Sequence, residues 1–203
     1  GTPLKGHTKW ITSLSWEPLH LQCPSYRIVS SSKDGLAKIW DVTRRICLQT
    51  LSQHKDAIAT VKWAGSGHII TGSRDRTIKI WTSEGSLFKN LEGHAHWINT
   101  LALSSDYSLR TGAFDHEGKL KSMDFEDMKK VAFEKYQASL IEGHEVLVSG
   151  SDDFTMILWN PLESNKPIAR LTGHQALVNH VMFSPNGQFL ASASFDKSVK
   201  IWN

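Results

Sequence analysis

Cysteine is almost absent: Cys23 and Cys47 are the two in 203 residues. They form no C-x-x-C pair and stand near no ligand-spaced histidine pair, so neither a disulfide framework nor a thiolate metal site is expected. No apolar run approaches the roughly 18–20 residues that cross a bilayer. The opening Gly1-Thr2-Pro3-Leu4-Lys5 has no signal-peptide character. A soluble, intracellular chain with two reduced thiols is the expectation. Charge of one sign is also missing, since 23 basic and 20 acidic residues leave +3 at neutral pH. That balance excludes an acidic solvating segment and permits, without demanding, a basic patch. Tyrosine is scarce as well. Of the aromatic residues, 8 are Trp, 8 Phe and 3 Tyr, and the tryptophans turn out to be periodic.

Asp34-Gly-Leu-Ala-Lys-Ile-Trp40 matches Asp75-Arg-Thr-Ile-Lys-Ile-Trp81, Asp153-Phe-Thr-Met-Ile-Leu-Trp159 and Asp196-Lys-Ser-Val-Lys-Ile-Trp202. A small-residue ladder precedes each: Ser30-Ser31-Ser32, Thr71-Gly72-Ser73, Ser149-Gly150-Ser151 and Ser192-Ala193-Ser194. Upstream of each stands a histidine: His7, His54, His94 and His174. A period of about 40–45 residues with Gly-His near its start and Trp-Asp near its end is the WD-repeat signature. Trp40-Asp41 keeps the dipeptide, whereas Trp81-Thr82, Trp159-Asn160 and Trp202-Asn203 replace its second member.

Between these markers, segments such as Ile11-Thr-Ser-Leu-Ser-Trp16 and Val178-Asn-His-Val-Met-Phe183 alternate with period two, as strands do. Turn signals such as Lys33-Asp-Gly35 and Ser184-Pro-Asn-Gly187 separate them. The fold expected is all-β: a WD40 β-propeller, four consecutive blades of a seven- or eight-bladed ring, with a partly helical insertion. Such a piece, alone, would expose raw blade faces. The expected repeats are 1–47, 48–87, 88–166 with an insertion of about 106–145, and 167–203 without its last strand. Within the insertion, Leu109–Asp115 imitates the strand-plus-Asp pattern. Val146–Asp153 imitates it better because Trp159 follows at the right spacing, so 146–151 is taken as the second strand. Over 124–136, Phe125, Met128, Ala132 and Tyr136 share a helical face and Asp124 suits an N-cap. That helix either packs on the flank or serves as a partner-binding appendage.

Ser, His and Asp together invite a hydrolase reading, but a nucleophile occurs once per active site and this set occurs four times. His7, Asp34, Trp40, His54, Asp75, Trp81, His94, Asp153, Trp159, His174, Asp196 and Trp202 are therefore read as an intrablade network in which each buried indole N–H needs an acceptor. Which ladder residue joins it stays open. No catalytic residue, metal, cofactor, small-molecule substrate or membrane contact is expected. Function should lie in rim loops. Three residues after each histidine come Trp10, Ala57, Trp97 and Leu177. Lys9, Lys33, Lys55, Arg74, Arg76, His96 and Phe195 lie nearby. These suit an acidic protein or an RNA backbone if exposed, or are solvated charges and loop-packed rings if not.

Several blocks outside the repeat consensus carry a further likeness. They are Lys9-Trp-Ile-Thr-Ser-Leu-Ser-Trp-Glu-Pro-Leu-His20, His96-Trp-Ile-Asn-Thr-Leu-Ala-Leu-Ser-Ser-Asp-Tyr107, Leu109-Arg-Thr-Gly-Ala-Phe114, Gly150–Met156 and Gly173–Asn179. In these the chain resembles the Notchless family of WD-repeat assembly factors of the large ribosomal subunit. The resemblance implies an eight-bladed propeller and residence in the nucleolus and nucleus. It also implies contact with the pre-ribosomal particle, both ribosomal RNA and assembly proteins. That family docks to the ATPase midasin through a ubiquitin-like domain that these residues do not include.

Overall fold

The computed structural model describes residues 3–115, 118–120 and 124–203. Residues 116–117 and 121–123 of the expected insertion, and Gly1-Thr2 of the expected first repeat, lie outside that description. Four antiparallel sheets follow in chain order. The first holds β1 (Ile11–Trp16), β2 (Arg27–Ser32), β3 (Ala37–Asp41) and β4 (Ile46–Leu51). The second holds β5 (Ile58–Trp63), β6 (Ile69–Ser73), β7 (Thr77–Trp81) and β8 (Leu87–Glu92). The third holds β9 (Ile98–Leu103), β10 (Leu147–Ser151), β11 (Met156–Trp159) and β12 (Pro167–Leu171). The fourth has three strands: β13 (Val178–Phe183), β14 (Leu190–Ser194) and β15 (Val199–Trp202).

Consecutive strands pair, because short turns rich in Gly, Asp and Ser return the chain beside itself. The register repeats: Trp40 faces Ile28, Trp81 faces Ile69, Trp159 faces Leu147 and Trp202 faces Leu190. An irregularity recurs at the entrance of the first strand, at Ile11/Ser13, Ile58/Thr60 and Val178/His180, and opposite β9 at Gly150/Ser151. Such bulges re-aim the neighbouring side chains, here Trp10 and Trp97 on the rim.

The core lies between sheets. Ile58, Val61 and Trp63 of β5 pack with Val29, Ala37 and Ile39 of the first sheet. Ile98, Leu101 and Leu103 of β9 pack with Ile70, Ile78 and Ile80. Val178 and Val181 of β13 pack with Val148 and Met156. Burying such β-branched and Leu side chains contributes about 1.5–3 kcal/mol each, and no blade can bury both faces alone.

Between β9 and β10 run α1 (Asp106–Thr111) and α2 (Phe125–Ala138). The second strand of the third sheet is thus formed by 147–151, while Leu109 falls in α1. Asp124 stands at the N-cap of α2 but makes no side-chain cap bond. Glu126 and Asp127 in its first turn and Lys135 in its last suit the helix dipole. On the expected apolar face Ala132 and Tyr136 are buried, Met128 is half-buried and Phe125 is exposed. The C-terminal half therefore packs on the flank. Tyr136 stacks on His20 of the β1–β2 loop at 4.7 Å and 11°. His20 Nε2 donates to the Gly65 carbonyl at 2.8 Å, and burial lowers its pKa.

Beneath lies buried Glu145. It accepts hydrogen bonds from the Ser105 hydroxyl, the Gly65 N–H, the Ser66 N–H and the Tyr136 hydroxyl. Burial raises the Glu145 carboxyl pKa against those bonds. An insertion in the third blade is thereby fastened to loops of the first two.

Candidate functional site: the blade turns and their rim

Each blade contains the same chain of hydrogen bonds. The Trp40 indole donates to Ser30 Oγ at 2.8 Å. Trp81 donates to Thr71, Trp159 to Ser149 and Trp202 to Ser192, each at 2.9 Å. The first member of every ladder is the one engaged. These hydroxyls lie 2.8, 2.8, 2.7 and 2.8 Å from Nε2 of His7, His54, His94 and His174. Nδ1 of the same histidines lies 2.9, 2.7, 2.8 and 2.7 Å from Oδ2 of Asp34, Asp75, Asp153 and Asp196. One proton arrangement satisfies every atom: the indole donates to the hydroxyl, the hydroxyl to Nε2, and Nδ1–H to the carboxylate.

The aspartates then fix the turns. Their Oδ2 atoms also accept the N–H of Thr8, Lys55, Ala95 and Gln175. Their Oδ1 atoms accept the N–H of Leu36, Thr77, Thr155 and Ser198. Burial raises the Asp75 and Asp153 carboxyls, yet the histidines and the hydroxyls of Thr77 and Thr155 more than offset it and hold both well below the ordinary range. For Asp196 the Ser198 hydroxyl leads in the same direction. Asp34 is lowered too, against its own burial, by Thr8, His7 and Leu36; its turn lacks the hydroxyl donor. Chemically the set is closed. Both ring nitrogens of each histidine are occupied, and the engaged hydroxyls are buried. No base or nucleophile is left facing solvent here. Among the described residues no three metal-ligating side chains converge, and no helix is long and apolar enough to cross a membrane.

Immediately outside this network lies the rim. Trp10 is 76% exposed and Trp97 38%. The Lys33 ammonium stands 4.4 Å from the Trp10 ring centroid, and the Arg74 guanidinium 4.4 Å from that of Trp97. Lys33 and Trp10 belong to one blade, whereas Arg74 reaches from the second blade to the third. Lys9, Lys55 and Arg76 are exposed. His96 is exposed beside Trp97 at 5.2 Å and pairs with Asp152 at 3.5 Å. Phe195 is exposed on the fourth blade. A shallow cavity of about 290 Å³ is lined by Thr8, Lys9, Trp10 and Lys33.

Sequence reasoning passed over Phe154, an exposed side chain at φ 69° in the turn after Asp153. The matching positions are Gly35, Arg76 and Lys197, all at positive φ. The signal was present in the shared spacing after each aspartate. A bulky side chain held there is strained and projects from the turn.

The WD domain, G-beta repeat profile matches residues 1–41, 45–82 and 165–203. The first three strands of the third blade fall outside those matches, yet its His94–Ser149–Trp159–Asp153 bonds equal those of the other three. Ribosome assembly protein 4 of Saccharomyces cerevisiae is 53% identical over 92% of the chain and 37% of its own length. The chain belongs to the WD-repeat family, in its Notchless-type branch. The Notchless protein homolog of Arabidopsis thaliana is 57% identical over all of this chain and 43% of its own length. Protein Notchless of Drosophila melanogaster is 45% identical over 92% of this chain and 39% of its own length. This Notchless-type segment thus spans well under half the length of these relatives.

Proposed function

We propose that the whole protein is a non-catalytic scaffold in biogenesis of the large ribosomal subunit, and that this segment binds pre-ribosomal RNA and assembly proteins through its rim. The carrying observation is the rim itself: Trp10 and Trp97, each with a cation over its ring, among Lys9, Lys55 and Arg76. The turns beneath are held by the blade aspartates, so the surface is preorganised and little ordering cost falls on binding. The closed networks supply no catalytic group. The name of one relative supplies the process, since it is called ribosome assembly protein 4. Nuclear and nucleolar residence follows from that process. Docking to midasin would belong to a domain outside these residues.

The test is affinity purification of the full-length protein with and without ribonuclease, read by sedimentation and mass spectrometry. Co-migration with large-subunit precursors, reduced by ribonuclease, is expected. Migration with a small, ribonuclease-indifferent protein complex would overturn the reading in favour of a protein-only adaptor, such as a ubiquitin-ligase substrate receptor.

A further inference from the structure

The four turns can be compared position by position. Before the blade aspartate stand Lys33, Arg74, Asp152 and Phe195; after it stand Gly35, Arg76, Phe154 and Lys197. The first two blades therefore present cations. The third breaks the series with Asp152, which is itself occupied by His96 at 3.5 Å and by the Asn99 amide at 2.5 Å. Lys33, Lys55, Arg74 and Arg76 have no carboxylate partner among the described residues. At the edge of this cationic sector stands Trp97, its ring covered on one side by Arg74.

Resting on the scaffold reading above, we infer that the rim of blades one to three takes RNA in single-stranded form. An unpaired base stacks at the Trp97–Arg74 pair, phosphates lie on Lys55 and Arg76, and the track ends at Asp152. A duplex hides its base faces and offers phosphates and 2′-hydroxyls, for which lysines alone suffice. Exposed indoles interleaved with cations suit unpaired bases, whose π-faces stack on aromatic rings whatever the sequence. Arg74 adds a planar guanidinium that serves base and phosphate alike.

The experiment measures binding of the full-length protein to a fluorescent 12-nucleotide RNA without self-pairing and to a 12-base-pair RNA duplex, by anisotropy across potassium chloride concentrations. The single strand should bind at least about ten-fold tighter. Trp97→Ala should cost it about ten-fold with the salt slope unchanged, and Trp97→Phe should restore most of the loss. Arg76→Gln should instead lower the salt slope by about 0.7. Equal duplex binding, or a Trp97→Ala variant with unchanged melting and unchanged affinity, overturns the inference. If either occurs while particle association stays ribonuclease-sensitive, the scaffold reading survives. If neither RNA form binds and association ignores ribonuclease, both fall.

Discussion

Trp63 and Trp81 are equally buried but not equally satisfied. The Trp81 indole N–H donates to Thr71 at 2.9 Å, inside the blade network. The Trp63 indole N–H is buried with no hydrogen-bond partner among the described residues, while Arg27 lies 5.5 Å over its ring. A buried donor without an acceptor costs about 1–3 kcal/mol, and removing it with its hydrogen recovers that cost. Trp63→Phe should therefore be nearly neutral, because relief of the donor offsets lost contact area. Trp81→Phe loses area and also leaves Thr71 short of a donor, so it should be the worse of the two by about 2 kcal/mol. Urea unfolding of the two variants decides it, and equal losses would refute the distinction. The sequence places Trp81 by its spacing from Asp75. It does not separate a satisfied indole from an orphaned one, since that depends on which hydroxyl the second strand turns inward.

At the scale of elements, strands and insertion were legible to different degrees. Alternation with period two reveals β1, β5, β9 and β13, and the Asp-to-Trp spacing selects 146–151, of which β10 takes Leu147–Ser151, over the rival near Leu109. That rival imitates a strand locally, but β9 already pairs with β10 from Leu103–Leu147 upward, and without a partner the segment coils into α1. The spacing of Ala132 and Tyr136 shows a helix; the destination of its face is not readable, because His20, Gly65, Ser105 and Glu145 come from four separate segments. Gly65 decides that docking. A Cβ there would lie 2.1 Å from Tyr136 Cε2, so the ring must leave His20 and the Glu145 carboxylate loses a donor. Gly65→Ala should release α2 while sparing the blades. Tryptic cleavage at Lys129, Lys130 or Lys135 should accelerate about ten-fold or more, at a local cost of about 2–4 kcal/mol. Unchanged cleavage would mean that the helix is held elsewhere.

Over the whole molecule, the blade faces tell which surfaces are unfinished. Ile58, Val61 and Trp63 on β5 are covered by the first sheet, and Ile78 and Ile80 on β7 are buried in the same way. Their counterparts at the two ends of the stack are bare: Ile11, Leu14 and Trp16 are 55–59% exposed, and Val199 and Ile201 are 69% and 64% exposed. One set is shaped like a leading face and the other like a trailing face, so each is complementary in kind to the other. Exposed apolar patches of this sort drive association, and β1 carries the alternating, uncharged pattern that pairs readily. The 203 residues expressed alone should therefore associate with rising concentration, which sedimentation velocity would detect between about 1 and 100 µM. Leu14→Lys with Val199→Lys should suppress the association, because each puts an ammonium where burial would have to strip its water. The internal interfaces should remain intact, giving an unchanged far-ultraviolet circular dichroism spectrum. Association that persists in the double variant would assign it to another surface, with the exposed outer-strand residues Ile46, Phe88 and Ile168 the next to test.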